Sequence, residues 1–229
     1  MSWSERKATK AAQKLPDNWE DVCEKAFLRR AQEIKEDDIP IQLVVNSDQT
    51  FVIYNPGSQL TWAPRGARQV SLINADKKRG FTALLSISAA GYVLPIQCVF
   101  GGKTSRVCPS AKAPCYASAI QAGFRFVASG KPDNHWSNQE TMQDFVDNIL
   151  APYFDKQKDQ LELPSSQKSL WIIDVWSVHR SDQFLTWMRK NHPTIIIDFV
   201  PGNCTMLRTS GCGIIGYSAS MKRRRAFWL

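Results

Sequence analysis

The chain has 229 residues, of which 43% are apolar and 22% charged, as in a globular domain with its own core. No apolar run of about 18 residues occurs, and the polar, basic residues 1–14 lack the apolar segment of a secretory signal, so neither a membrane-spanning nor a secreted protein is expected. The formal net charge of +8 favours a phosphate-rich partner.

The first part of the chain is predicted to begin with a disordered basic lead over residues 1–14, followed by a helix. Asp17, with Glu20 three residues later, is typical of a capping box, and apolar residues then recur at helical spacing as far as Ile34. Apolar runs over residues 41–46 and 51–54 predict two short strands.

A β-hairpin is predicted next. Two longer apolar runs, over residues 81–88 and 92–100, are joined by Ala89-Ala90-Gly91. Pro95, inside the second run, indicates an edge position or a bulge. Residues 101–135 are rich in Gly, Ser, Ala and Pro, have no clear period, and are predicted to be irregular.

The second half alternates between helical and strand patterns. Ser137 and Glu140 predict another capping box, before a helical stripe over 142–153. Residues 170–175 and 194–200 are typical of buried strands, and a short helix capped by Ser181 or Asp182 lies between them. This order predicts an α/β domain with a ribonuclease H-like mixed sheet flanked by helices.

Three regions follow from these patterns. They are a basic lead with a helical extension at residues 1–38, the sheet domain at 39–205, and a basic tail at 206–229 that is expected to be poorly structured. The six cysteines form no C-x-x-C pair, which argues against a structural zinc site and favours plain thiols.

Asp48 and Asp174 are the candidates for chemistry. Each is predicted at the end of a strand, where functional groups collect in α/β sheets. Two carboxylates that converge there could share a divalent cation, because carboxylate oxygens are what Mg²⁺ prefers and two-metal phosphoryl-transfer sites are built this way. The alternative is that both are ordinary aspartates, since Asp is common at strand ends and turns.

Several segments in one order resemble the pogo/Tigger-type DDE superfamily endonucleases, which are transposases. The resemblance covers roughly residues 2–207. Its three main segments are Asn46-Ser47-Asp48-Gln49-Thr50, Trp171-Ile172-Ile173-Asp174, and Phe199-Val200-Pro201-Gly202-Asn203-Cys204-Thr205. It implies a nuclear protein whose ancestral activity is metal-dependent DNA strand cleavage and transfer, with Asp48 and Asp174 as catalytic ligands of Mg²⁺ or Mn²⁺.

The third acid of that family would fall near Cys212. Residues 199–229 contain no Asp or Glu, and Asp198 lies upstream in a strand pattern, where it is not expected to substitute. Catalysis is therefore expected to be impaired. Three functions remain open: an inactive remnant that binds DNA, a weak two-carboxylate nuclease, and a domesticated interaction module that pairs with its own copies or with an intact transposase relative.

Several side chains are candidates for contact with nucleic acid: Lys78, Arg79, Lys103, His179, Lys222, Arg223, Arg224 and Arg225. The basic residues have a simpler interpretation as solvated turns and ends. His179 could instead be structural, because a short polar link between strand and helix needs hydrogen-bond partners. Trp136 could stack on a base or pack at the start of a helix.

Overall fold

The computed structural model describes residues 3–7, 17–54, 60–65, 80–132, 134–175 and 177–201. Eight strands occur in these ranges: β1 (Trp3–Lys7), β2 (Val44–Ile53), β3 (Leu60–Pro64), β4 (Gly80–Ser88), β5 (Gln97–Phe100), β6 (Arg125–Ala128), β7 (Ser169–Asp174) and β8 (Ile195–Val200). The helices are α1 (Trp19–Glu36), α2 (Tyr116–Gln121), α3 (Gln139–Phe145), α4 (Ala151–Gln160) and α5 (Asp182–Asn191). A π-helical segment, Val146–Leu150, joins α3 to α4.

Six of the described strands form one mixed sheet in the order β6-β5-β4-β2-β7-β8. β4 is antiparallel to both β2 and β5, whereas β2, β7 and β8 are parallel to one another, as are β5 and β6. The hairpin predicted from residues 81–100 is the β4–β5 pair. The predicted α/β architecture of a mixed sheet flanked by helices is confirmed.

The main core lies between the sheet and the long helical segment from α3 to α4. Phe145 and Phe154 on that segment, and Trp171 on β7, are buried. The rings of Phe145 and Trp171 lie 5.9 Å apart, and Phe184 of α5 contacts the other side of the indole. Each such side chain stabilises the fold by roughly 1.5–3 kcal/mol through removal of apolar surface from water.

Helix α1, the predicted helical extension, is joined to the sheet by an ion cluster. Arg30 Nε donates to Asp198 Oδ2 on β8 at 2.7 Å, and Arg29 Nε donates to Asp198 Oδ1 at 3.1 Å. The side chains of Arg30 and Asp198 are 2% and 1% exposed, whereas that of Arg29 is 51% exposed. The extension therefore packs on the sheet through a buried ion pair.

Two predicted helix starts are wrong in detail. Helix α1 begins at Trp19 after Asn18, which makes no side-chain capping bond, so the box of Asp17 and Glu20 does not form. Helix α3 has its capping box one residue later than predicted, on Asn138 and Thr141. The predicted cap of α5 is confirmed, because Ser181 Oγ accepts the backbone N–H of Phe184 at 3.2 Å.

Three strand predictions also need correction. The runs at 41–46 and 51–54 belong to a 3₁₀ turn, Ile41–Leu43, and to the single strand β2. Polar residues 46–50 interrupt the apolar pattern, but backbone pairing with β4 continues through them. Pro95 precedes β5, which is an inner strand. The lead predicted as disordered contains β1, which pairs with β3, while residues 8–16 lie outside the described ranges.

The region predicted as irregular, 101–135, contains both α2 and β6. Strand β6 is held at the sheet edge by parallel pairing with β5 and by Arg125, whose guanidinium contacts Asp144 of α3. Local sequence gives little sign of a strand whose pairing partner lies 28 residues earlier (Gln97 with Arg125).

Two smaller expectations can be compared with the structure. Among the described cysteines, Cys98, Cys108 and Cys115 are free thiols, and burial raises the pKa of Cys98 to about 12. In the ranges that the structure describes, no helix is both long and apolar enough to cross a membrane.

Candidate active site and nucleic-acid surface

The two candidate acids are brought together by the parallel pairing of β2 with β7. The paired positions run from Val44 with Leu170 to Ser47 with Ile173. Asp48 and Asp174 are the next residues of the two strands. Residues opposite each other on neighbouring strands point to the same face of a sheet, so this register places the two carboxylates side by side. Asp48 was predicted at the end of a strand but lies inside β2. Asp174 ends β7, as predicted.

Asp48 and Asp174 line one cavity of about 160 Å³. The other lining residues are Ser47, Gln49, Leu84, Trp136, Ile173, Val175 and His179. The cavity is open to solvent at one side, since Trp136 on its rim is 48% exposed. The structure therefore brings the two predicted acids to one cavity, whose lining mixes polar and apolar side chains.

A buried hydrogen-bond chain fixes the two strands next to the acids. Trp171 Nε1 donates to Ser47 Oγ at 2.8 Å, and Ser47 Oγ lies 2.7 Å from Ser86 Oγ on β4. All three side chains are buried. Because buried polar groups are costly when unpaired, this chain holds β7, β2 and β4 in one register and so fixes the position of Asp48 relative to Asp174. No local pattern in the sequence indicates this support.

His179 forms the inner wall of the cavity. It is 2% exposed, and its Nδ1 lies 3.0 Å from the backbone oxygen of Asp174. A carbonyl oxygen can only accept, so Nδ1 carries the hydrogen. Burial lowers the pKa of His179, opposed by this hydrogen bond, which leaves a neutral ring at pH 7. The burial supports the structural interpretation of His179 and leaves no surface for direct contact with DNA.

The carboxylates have part of the chemistry that a divalent metal requires. Their oxygens are suitable ligands for Mg²⁺ or Mn²⁺, and Mg²⁺ commonly binds through one or two carboxylates and completes its shell with water. In the described part of the chain, no group of three or more His, Cys, Asp or Glu side chains is arranged to hold a metal ion. Asp48 and Asp174 are the residues that could hold such a cation, with water completing its shell.

Asp198, the last acidic residue of the sequence, lies in an ion cluster away from the cavity. Both of its carboxylate oxygens are engaged by Arg29 and Arg30, and it is not among the residues that line the cavity. This agrees with the expectation that Asp198 does not substitute for a third acid. Arg29 and Arg30 showed no sign of this role in the sequence, where they are two of many basic residues on a helix.

One of the predicted nucleic-acid contacts, Lys103, lies in a segment of the sequence without acidic residues. Residues 77–132 contain no Asp or Glu. Within the described part of that segment, Lys103, Arg106, Lys112 and Lys131 are exposed. The positions Lys78, Arg79, Cys212, Lys222, Arg223, Arg224 and Arg225 lie outside the described residues. Exposed cations without neighbouring acids are what a phosphate backbone requires.

Comparison with known proteins identifies the fold. A comparison of the sequence with protein families, and another with curated proteins, found no match. Among solved structures, the chain is similar to a chain in the crystal structure of a pre-cleavage Mos1 transpososome, with a TM-score of 0.50 and 9% sequence identity. The match covers 87% of this chain and 48% of that chain, so this chain spans about half of that chain's length. At this identity the likeness shows the fold alone, and it confirms the predicted ribonuclease H-like fold.

Proposed function

We propose that this chain is a transposase-derived DDE endonuclease domain of the pogo/Tigger type, which binds DNA but no longer cleaves it. The observation that carries this proposal is the placement of Asp48 and Asp174 side by side, in one cavity, on the central strands of a ribonuclease H-like sheet. The sequence segments that resemble the family include these two strands, and the likeness to a transpososome chain supports the same descent.

Asp48 and Asp174 would hold the metal ion in this proposal. Bound Mg²⁺ or Mn²⁺ would supply activation of the attacking oxygen and stabilisation of the leaving oxygen. The chain's own groups have positioning roles. The bond from His179 Nδ1 to the Asp174 carbonyl fixes the end of β7, and the chain of Trp171, Ser47 and Ser86 fixes β2 beside it. Both carboxylates would thus be preorganised for a cation and a phosphate.

Impaired catalysis follows from the number of acids. Two carboxylates line the cavity in the described residues, Asp198 is held by two arginines, and residues 199–229 contain no Asp or Glu. Groups that act together in catalysis lose most of the rate when one of them is removed, often several orders of magnitude. DNA binding does not depend on a third acid and would persist.

A weak two-carboxylate nuclease is the second candidate, favoured by the shared cavity of Asp48 and Asp174. Nicking of supercoiled plasmid in Mg²⁺ or Mn²⁺ separates the two candidates. We expect no metal-dependent nicking above that of the Asp48→Ala and Asp174→Ala variants. Nicking that both substitutions abolish would establish the weak nuclease and contradict the proposal that the domain does not cleave DNA.

DNA binding in the nucleus is the activity that we expect to be retained. The double substitution Lys103→Gln with Arg106→Gln removes two exposed cations of the acid-free segment, so it should weaken binding and reduce the salt dependence of the affinity by a slope of about 2. Lys156→Gln, an exposed lysine on α4, is the matched control and should change little. Fluorescence anisotropy with a labelled duplex measures both. A folded protein that binds no duplex at low salt would contradict the proposal.

A further inference from the structure

An exposed indole stands at the rim of the acid-lined cavity. Trp136 is 48% exposed and lines the same cavity as Asp48 and Asp174. Large aromatic side chains are usually packed, since each can bury a large apolar area. An indole that remains half exposed beside two carboxylates therefore offers a free aromatic face at the candidate site.

A column of rings supports this indole. The ring of His135 lies 5.2 Å from that of Trp136 and stacks on Phe51 of β2 at 4.0 Å with an interplanar angle of 25°. Phe51 is three residues after Asp48 on the same strand. The backbone N–H of Trp136 also donates to Asn134 Oδ1 at 2.9 Å. The indole is therefore tied, through stacked rings, to the strand that carries Asp48, and little entropy would be lost when a ligand stacks on it.

The structure does not support a role for Trp136 in starting helix α3. The N-cap is Asn138, so the position before it, which would contact the fourth helical residue in a hydrophobic staple, is Ser137. Met142, at that fourth position, is fully buried, whereas Trp136 is half exposed. The exposed face of the indole is not needed for the helix.

The size of the cavity determines where a base would lie. Its volume of about 160 Å³ is well below the roughly 300 Å³ of the smallest pockets that enclose organic ligands. A phosphate could reach the two carboxylates through a cation, but the attached base would remain outside, on the rim. In a paired duplex both faces of that base are covered by its neighbours, so stacking on the indole requires the base to leave the duplex.

We propose that Trp136 stacks on an unpaired DNA base beside the phosphate at Asp48 and Asp174, so that the domain prefers DNA with an unpaired nucleotide at this point. This inference rests on the proposed function and specifies its substrate. Stacking of a base on an aromatic side chain tolerates any base, so the preference is for an unpaired nucleotide and not for a sequence.

The test compares two probes in Mg²⁺, fluorescein-labelled oligothymidine and a labelled duplex of the same length, and a gel run after each titration verifies that the probes are uncleaved. Trp136→Ala should lower the affinity for oligothymidine about tenfold and leave the affinity for the duplex unchanged. Trp136→Phe should restore most of the loss, and Trp136→Leu, which is apolar without an aromatic face, should not. Tyr92→Ala is the matched control, because Tyr92 is a similarly exposed aromatic residue that does not line the cavity.

The possible outcomes separate this inference from the proposed function. Equal losses on both probes, or full rescue by Trp136→Leu, would overturn the stacking role while leaving DNA binding intact. Wild-type protein that binds neither probe, with its fold confirmed by circular dichroism, would overturn both proposals. A loss confined to oligothymidine and rescued by Phe alone would support the inference.

Discussion

Asp48 lies beside Asp174 at the point where β2 and β7 stop pairing, one residue beyond the pair of Ser47 with Ile173. Both carboxylates line a cavity of about 160 Å³. Like charges that share a small, partly desolvated space repel each other, and a divalent cation would remove that cost. A divalent cation bound between the two acids would offset repulsion between their charges.

A divalent metal should stabilise the folded protein through these two acids. At a metal concentration ten times the dissociation constant, binding to the folded state alone contributes about 1.4 kcal/mol. We expect Mn²⁺ to raise the melting temperature of the wild type by a few degrees, and Asp48→Asn or Asp174→Asn to abolish that rise. Differential scanning fluorimetry measures it, with Asp159→Asn, an exposed acid on α4, as the control. A rise that persists in both site variants would place the metal elsewhere.

The members of the ion cluster between α1 and β8 should contribute unequally to the free energy of unfolding. Asp198→Asn leaves the buried guanidinium of Arg30 without its counter-charge, which typically costs about 3–5 kcal/mol in the free energy of unfolding. Arg29→Ala removes a half-exposed partner and should cost about 0–1 kcal/mol. Urea denaturation of the two variants gives both values. Equal losses would mean that half-exposed Arg29 contributes as much as the buried counter-charge, and would contradict this prediction.

The sequence predicted the sheet architecture and the two acids because both depend on strong local patterns. Strands β7 and β8 are buried and have continuous apolar runs, so periodicity located them. Strand β2 was divided into two because Ser47, Asp48 and Gln49, which line the cavity, interrupt its apolar run. The error therefore fell where the candidate site and the buried hydrogen bonds of Ser47 place polar residues inside a strand.

The rest of the site could not be predicted because it depends on long-range contacts. The bond from Trp171 to Ser47 spans 124 residues, and the pairs of Arg29 and Arg30 with Asp198 span 169 and 168 residues. Nothing in the local sequence distinguishes these side chains from other buried or basic ones. The position of Trp136 likewise depends on a distant contact, the stacking of its neighbour His135 on Phe51 of β2.

Gly80 should be required for the pairing of β4 with β2. A Cβ atom at this position would lie 2.2 Å from the carbonyl oxygen of Val52 and 2.7 Å from the ring of Phe51. Backbone would have to move, so Gly80→Ala should lower the free energy of unfolding by about 1–3 kcal/mol. Gly101→Ala is the control, because its Cβ would meet its nearest neighbours at 3.5 Å, an ordinary contact distance. Thermal denaturation that shows the two variants equally stable would contradict this packing.

The buried His179 should make the protein less stable in mildly acidic solution. Burial lowers its pKa in the folded state, whereas in the unfolded chain the pKa stays near its ordinary value of about 6.5. Below that value the unfolded chain binds a proton that the folded protein does not, so the free energy of unfolding falls as the pH decreases from about 6.5 towards the folded-state pKa.

His179→Asn keeps an amide donor for the Asp174 carbonyl but cannot titrate. We expect urea denaturation to show a smaller loss of stability between pH 7 and pH 5 for this variant than for the wild type. Identical pH profiles would mean that His179 is charged, or accessible to solvent, in the folded protein. His135→Asn, at a less buried histidine, is the control and should change the profile less.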